Sequence, residues 1–454
     1  MTYPETCEYL YHQMPMFERQ GASGYKEGLS NTLALDEHFN HPHHHFATIH
    51  IGGTNGKGSV SHTIAAVLQE LGYRVGLYTS PHLVDFRERI RINGEPISQD
   101  YVVDFVEKER TFFEPLHPSF FEVTTALAFK YFMDRKVDIA VIEVGLGGRL
   151  DCTNIITPLV SIITNISFDH TQFLGNTLAL IAAEKAGIIK HGIPVIIGET
   201  HQETRPVFEE KANEAEAPII FAEDEPEVVH AQPTPQGGML YETKHWGKLT
   251  GDLGGIYQQK NLNTVLHALQ VLADKGVLKN KEEKSVPKNT EDERIQHTAS
   301  SNIEQYQETV ARAIAHVAER TGLMGRWQTV RCSPQVVCDT GHNVGGWQYI
   351  SKQLGQVQCH TMRIVFGMVD DKDIEGVLEL LPKQAVYYFT KADSKRAMSE
   401  DTIQALATRH GLEGTAYPTV REAYESALKE AAENDFIFVG GSSYVVGDFL
   451  RTCN

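Results

Sequence analysis

Apolar runs alternate with stretches in which apolar residues recur every three or four positions. "FATIHIGG" (46–53) is a mostly apolar run that ends in glycines, which predicts a buried strand. "SVSHTIAAVLQELGYR" (59–74) has helical periodicity and stops at Gly72. "VGLYTSP" (75–81) predicts the next strand, closed by Pro81. A helix follows at "TTALAFKYFMDRK", then strands at "VDIAVIEVGLGG" and "LVSIITNI". A further helix, "LALIAAEKAGIIK", precedes the strand "PVIIG". Strands separated by helices of this length predict an α/β fold, a doubly wound and mostly parallel sheet. Such sheets bind ligands at the carboxyl ends of their strands.

The pattern fades over 279–303, where "KNKEEKSVPKNTEDERIQHTASSN" is polar and charged, as in an exposed insertion or disordered loop. A helix, "YQETVARAIAHVAERTG" (306–322), follows. A second alternating set then runs through "QVVCDTGHN", "TMRIVFGMV", "AVYYFT" and "DFIFVGGSSYVVGDFL". It predicts a second, smaller α/β domain over 326–454, after a first domain over 1–325. No internal repeat is present.

Composition narrows the function. The chain has 454 residues, 41% hydrophobic and 22% charged, with a net charge of −18. That charge argues against nucleic acid or an anionic membrane as the main partner. An anionic substrate would need a local basic site. The six cysteines have no metal-clip spacing, which points to a reducing cytoplasm. The first residues, "MTYPETCEYL", carry no signal peptide pattern. No apolar run approaches the roughly 18 residues that span a bilayer.

The candidate chemistry gathers at strand ends. "HIGGTNGKGSVSHTI" (50–64) is a strand, a glycine-rich turn and a helix, with Lys57 and Ser59 in the turn. Backbone N–H groups and a helix N-terminus suit a phosphate. The loop departs from the common pattern, since Ile51 replaces the first glycine and Gly58 follows Lys57. Glu143 ends one buried strand, and a carboxylate there needs a partner or a metal. Asp169 and His170 end the next. These features make a magnesium or substrate site. Lys185, among apolar helical neighbours, reads by itself as a snorkelling lysine. "TSPHLVDFRERIRING" joins Ser80, Pro81 and His82 to Arg87, Arg89 and Arg91, either a solvated face or the local basic site. "HPHHHF" (41–46) reads as a polar loop rather than a metal tract.

"GTNGKGS", "TSPHL" with "ERI", "EVGLGGRLDCTNI", "SFDHTQFLG", "EKAGIIK", "GRW", "DTGHN" and "GSSYVVGDF" occur in this order. Together they resemble the folylpolyglutamate synthase and dihydrofolate synthase family within the Mur ligase superfamily. The likeness runs from "SGYKEGL" near residue 23 to the C-terminus, excluding the polar insertion, and the departing glycine loop is itself part of it. The resemblance implies an ATP-dependent ligase that adds L-glutamate to dihydropteroate and to reduced folates through an acyl phosphate. It implies ATP and Mg2+ as cofactors, small-molecule partners and a monomer. By the same resemblance Thr54, Asn55, Gly56, Lys57, Gly58 and Ser59 cradle ATP, with Asn261, Arg326 and Asp339 as further contacts. Ser80, Glu143 and His170 match metal ligands. Lys57, His170 and Lys185 match catalytic positions, Lys185 as a carbamylated lysine. His342 and Ser442 match the glutamate site. Ser119, Phe120, Phe121, Glu122, Leu150, Asp151 and Cys152 match the pterin pocket, where aromatic faces and an acidic acceptor suit a flat heterocycle.

The sequence departs from the family at Thr340 and Gly341, where many members have Gly and Ala, and at Cys152, where some have Ala. Two alternatives within this chemistry are a folylpolyglutamate synthase alone and another Mur-type amino-acid ligase. "LDCTN" and the pocket aromatics lean toward dihydropteroate. A nucleotide-dependent binding protein without ligase chemistry is a reading of another class, and Lys57, Glu143, His170 and Lys185 together oppose it.

Overall fold

The computed structural model describes residues 1–15, 28–279 and 303–453. The polar insertion and the start of "SGYKEGL" lie outside the described residues. The larger sheet has eight strands: β1 Ala47–Gly52, β2 Val75–Tyr78, β3 Ile90–Ile92, β4 Glu95–Pro96, β5 Ile139–Glu143, β6 Val160–Ile163, β7 Val195–Ile197 and β8 Ile219–Phe221. Their order is β4-β3-β2-β5-β1-β6-β7-β8. All neighbours are parallel except the β2–β3 and β3–β4 pairs. The doubly wound, mostly parallel expectation therefore holds.

Helices cover both faces, so the strands read as continuous apolar runs. The helix Lys57–Glu70 is buried from Gly58 to Leu68. It packs between the sheet and the helices Gln258–Asp274 and Gln307–Ile314. On the opposite face lies the helix Phe120–Asp134, with an aromatic core of its own. β1 sits between β5 and β6, so the chain connections diverge on its two sides. A crevice opens at the carboxyl end of a strand placed in this way.

A three-stranded antiparallel sheet, β9 Val228–Pro233, β10 Met239–Thr243 and β11 Lys248–Gly251, has no counterpart in the sequence reading. Its strands are half-exposed, and polar residues interrupt the apolar run: His230 and Gln232, Glu242, Thr250. The helix expected over 306–322 is instead two, Gln307–Ile314 and Val317–Thr321. Asp252, just after β11, accepts a hydrogen bond from Ala318 N at 2.8 Å. A carboxylate there caps the second helix and stabilises the break.

The smaller sheet runs β12-β13-β17-β14-β15-β16. Its strands are β12 Gln328–Cys332, β13 Gln335–Asp339, β14 Met362–Phe366, β15 Val386–Thr390, β16 Gly414–Tyr417 and β17 Phe436–Gly440. All pairs are parallel except β12–β13. "DFIFVGGSSYVVGDFL" divides into β17 and the helix Ser443–Cys453. Among the described residues, no helix is long and apolar enough to cross a membrane.

Candidate active site between two sheets

The glycine loop follows β1 and opens the helix Lys57–Glu70. Gly56 caps that helix at φ +85°, and an added Cβ would lie 2.3 Å from Asn261 Oδ1. Only glycine satisfies both the backbone and the space. Asn261 therefore lies against the loop, 205 positions away in sequence only because the helix Gln258–Asp274 returns it there. Its Nδ2 donates to Gln258 Oε1 at 2.8 Å, and Gln258 Nε2 donates to Ser59 Oγ at 3.1 Å. Thr54 Oγ1 donates to Ser167 O at 3.2 Å, and Asn55 N donates to Asn165 Oδ1 at 2.9 Å. Loop and β6 end are thus one piece.

Lys57 Nζ donates to Gly53 O at 3.1 Å and Thr54 O at 3.0 Å. Burial lowers its pKa, opposed by the charges of Glu143 and Asp169. A Cβ on Gly58 would stand 3.3 Å from an Arg326 guanidinium nitrogen, so Arg326 reaches the loop from the segment before β12. The same guanidinium donates to Thr340 Oγ1.

Thr54, Lys57, Gly58 and Arg326 line a cavity of about 220 Å³. Ser80, Glu143, His170 and Lys185 line it from the first sheet, and His342 and Ser442 from the second. Glu143 is 3% exposed; its Oε2 accepts from Ser80 N at 3.2 Å. Burial raises its pKa, and the charge of Lys57 opposes this. Burial drives the His170 pKa down to about 3, so the imidazole is neutral. A buried carboxylate and a hydroxyl are oxygen donors of the kind that suit a hard divalent cation such as Mg2+ or Mn2+, and the neutral imidazole adds a nitrogen donor beside them. Among the described residues no three metal-ligating side chains are already clustered around a point.

Lys185 is 5% exposed, and its Nζ donates to Gly53 O at 2.9 Å. Burial, then the charge of Lys57, lowers its pKa to about 7. The snorkelling reading is wrong, because the side chain points inward under the loop.

Asp169 is the junction of the two halves. Its Oδ2 accepts from His342 Nε2 and from Asn343 Nδ2, both at 3.2 Å, and its Oδ1 pairs with Lys372. Burial would raise its pKa, but the His342 hydrogen bond and the charges nearby hold it well below the usual carboxylate range. Asn343 and Asn55 also exchange hydrogen bonds at 3.1 and 3.0 Å. Ser442 Oγ accepts from Val445 N at 3.2 Å, at the start of the last helix.

Several expected residues are elsewhere. Asp339 does not line the cavity. Its carboxylate accepts from Tyr257 Oη at 2.5 Å, Trp327 N at 2.8 Å and Gly341 N at 2.8 Å, tying the linker in place. None of Ser119, Phe120, Phe121 and Glu122, nor Leu150, Asp151 and Cys152, lines it either. Ser119 and Glu122 form the capping box of the helix Phe120–Asp134, and Phe120 sits in its aromatic core. Phe121 packs on the glycine turn, 2.4 Å from where a Cβ of Gly145 would be. The acceptor role expected of Asp151 is already taken. Oδ2 accepts from Gly145 N and Leu146 N at 3.0 and 2.8 Å, and Oδ1 from Thr153 N and Oγ1 at 3.0 and 2.5 Å. Four bonds fill a carboxylate's capacity. Burial pushes the Cys152 thiol well up. Leu150 is half-buried.

Of the basic run, Arg91 alone lines the cavity, and its guanidinium donates to the carbonyls of Glu88, Gly94 and Gly322. Arg87 pairs with Asp85, and Arg89 is buried against His82. In the histidine tract, His41 and His43 bond Asp36 at 2.6 and 2.7 Å. The sequence reading missed Asn343, Lys372 and Arg396. The signal for Lys372 was present: "VDDKD" follows the β14 run, at the carboxyl end where ligands bind.

Residues 51–266 match the family described as the Mur ligase middle domain, and residues 325–443 the Mur ligase glutamate ligase domain. The dihydrofolate synthase/folylpolyglutamate synthase of Bacillus subtilis is 31% identical over 446 residues, covering 94% of this chain and 95% of the relative. A structure of Escherichia coli FolC in complex with DHPP and ADP superposes with TM-score 0.78 at 26% identity, covering 99% of this chain and 97% of that one. A bifunctional folylpolyglutamate synthase/dihydrofolate synthase from Yersinia pestis, complexed with AMPPNP and a Mn ion, gives TM-score 0.74 at 27% identity over 99% of this chain and 98% of its own.

Proposed function

This chain belongs to the dihydrofolate synthase/folylpolyglutamate synthase family of Mur ligases, and from that premise we propose that it joins L-glutamate to dihydropteroate and to reduced folates at the expense of ATP. The observation that carries this reading is one cavity. It brings the glycine loop after β1 together with Glu143, His170 and Lys185 on one side and Arg326, His342 and Ser442 on the other. A nucleotide and an amine acceptor site must meet for ligation, and no single domain supplies both walls. We place the domain boundary at 325/326, just before β12.

A carboxylate is a poor acyl donor because its leaving group is oxide. Its oxygen attacks the γ-phosphorus of ATP and ADP leaves. The glutamate amine then attacks the acyl carbon, phosphate departs, and the amine gives up its proton. Thr54, Asn55, Gly56, Lys57, Gly58 and Ser59 hold the triphosphate through N–H groups and one ammonium. Asn261 and Arg326 close on the nucleotide from either side. Asp339 acts on it indirectly, by holding Trp327 and Gly341. Ser80, Glu143 and His170 are the residues that would hold Mg2+, and a bound Mg2+ would supply positive charge to the phosphoryl group. His342 and Ser442 face the incoming glutamate. Ser119, Phe120, Phe121, Glu122, Leu150, Asp151 and Cys152 form the wall of the pterin pocket in this reading, with Phe121 and Asp151 also holding the turn at Gly145.

Lys185 is carbamylated in this reading. A neutral buried amine adds to CO2, losing a proton, and gives an anion suited to a site crowded with cations. A monomer is part of the same reading. Six free cysteines support a reducing cytoplasm.

The test is release of phosphate by the purified protein with ATP, L-glutamate and either dihydropteroate or tetrahydrofolate. Release should need glutamate and an acceptor together, and both acceptors should serve. Use of tetrahydrofolate alone would reduce the activity to polyglutamate extension.

A further inference from the structure

The second-sheet wall of the cavity carries a buried guanidinium that the ligation scheme above does not use. Arg396 lies in the segment after β15 and is 8% exposed, yet it lines the cavity with Val369, Lys372, Ser442 and Tyr444. A charge so buried is costly without fixed partners. Asp371, after β14, receives one terminal nitrogen, and Tyr444 Oη, after β17, lies 3.3 Å from the other. The backbone around it is tied down as well. Asp370 N donates to Arg396 O at 3.0 Å, Met398 N to Met368 O at 3.0 Å, and Val369 bridges Ala397. Three strand ends thus orient one planar fork at the cavity wall.

We propose that Arg396 recognises the side-chain carboxylate of the incoming L-glutamate and so sets the amino-acid specificity of the ligase. This rests on the ligase reading above. The attacking amine and the neighbouring α-carboxylate must stay close to the acyl phosphate, on the side of His170 and His342. The side-chain carboxylate then extends away from the first sheet. Two other long cations stand on this side: Arg326 reaches to the glycine loop and Thr340, and Lys372 is engaged by Asp169 of the first sheet. Arg396 takes its partners Asp371 and Tyr444 from the second half. A guanidinium matches a carboxylate with two parallel N–H bonds, and a fork held in place loses little entropy on binding.

The experiment compares L-glutamate with L-glutamine, which has the same shape and no side-chain charge, as amine substrates of the full-length enzyme. In Arg396→Gln, kcat/KM for L-glutamate should fall by roughly 100-fold, mostly through KM. The value for L-glutamine should stay within about threefold, so the preference collapses, and KM for ATP should stay within about twofold. Arg396→Lys keeps the charge without the fork and should recover part of the preference. Equal losses with both amino acids, or a rise in KM for ATP, would show a purely structural role and overturn the proposal. So would full preference in a folded Arg396→Gln enzyme. A wild-type protein that ligates no amino acid would instead remove the ligase reading itself, a separate outcome.

Discussion

Two lysines lie beneath one loop, and their surroundings separate their roles. Lys57 is held by two carbonyls of its own turn, so its ammonium is positioned before any phosphate arrives. Lys57→Ala should leave the melting temperature near wild type and lower kcat by about 10²–10³-fold, the usual loss of a preorganised charge contact. An enzyme that still turns over at the wild-type rate would exclude it from the reaction. Lys185 has its pKa depressed to about 7, so protonation falls as pH rises through that value. Neutral amine, the form that captures CO2, therefore accumulates from about pH 6 to about pH 8. Labelled bicarbonate should give a ¹³C carbamate signal that grows over this range and is missing in Lys185→Ala, and a bare amine in active enzyme at about pH 8 would refute it. These residues were legible in the sequence because each sits at a strand end or in a motif. What the sequence hid is their hydrogen-bond state. Asp151 reads as an acceptor waiting for a ligand, and four donors of its own chain already satisfy it.

At the scale of elements, the strand–turn–helix unit is what makes the loop rigid, and its period is plain in the apolar pattern. The helix Leu178–Ala186 is equally legible, but its seating is not. Gly187 follows it, and an added Cβ would lie 2.4 Å from Arg149 Cα and 2.8 Å from Arg149 N. Backbone cannot yield as a flexible side chain can. Gly187→Ala should push the helix and Lys185 off the loop, destabilising the fold by about 1–3 kcal/mol and weakening the carbamate signal together. Calorimetry showing an unchanged melting temperature would mean that the backbone around Arg149 yields without cost. The antiparallel sheet β9–β11 escaped the sequence because alternation over four to six residues is weak when polar residues occupy both faces. The broken helix escaped because its break depends on Asp252, far away in the chain, a contact that no local pattern reports.

At the scale of the molecule, the two α/β sheets that were predicted are both present, beside the small antiparallel sheet that was not, but the joint between the two was not foreseen. Asn343 and Asn55 exchange side-chain hydrogen bonds, Asp169 gathers three donors from the second half, and Tyr349 Oη donates to Glu199 at 2.8 Å. Their partners lie 150 to 288 positions apart, a range over which the sequence carries no signal. X-ray scattering should show a smaller radius of gyration with an ATP analogue and dihydropteroate bound than in the free enzyme. Asn343→Ala removes bonds worth about 0.5–1.5 kcal/mol each, so the contraction should shrink and kcat/KM drop about tenfold; a full contraction in this variant would place the joint elsewhere. The Lys372 and Asp169 side chains that help to make this joint are only 8% and 6% exposed. Dissolved ions cannot come between them, and the asparagine pair has no charge to screen. The joint should therefore respond little to salt from dilute buffer to concentrated brine, and salt should act on this enzyme at its cavity, where the anionic substrates bind, rather than by parting its two halves.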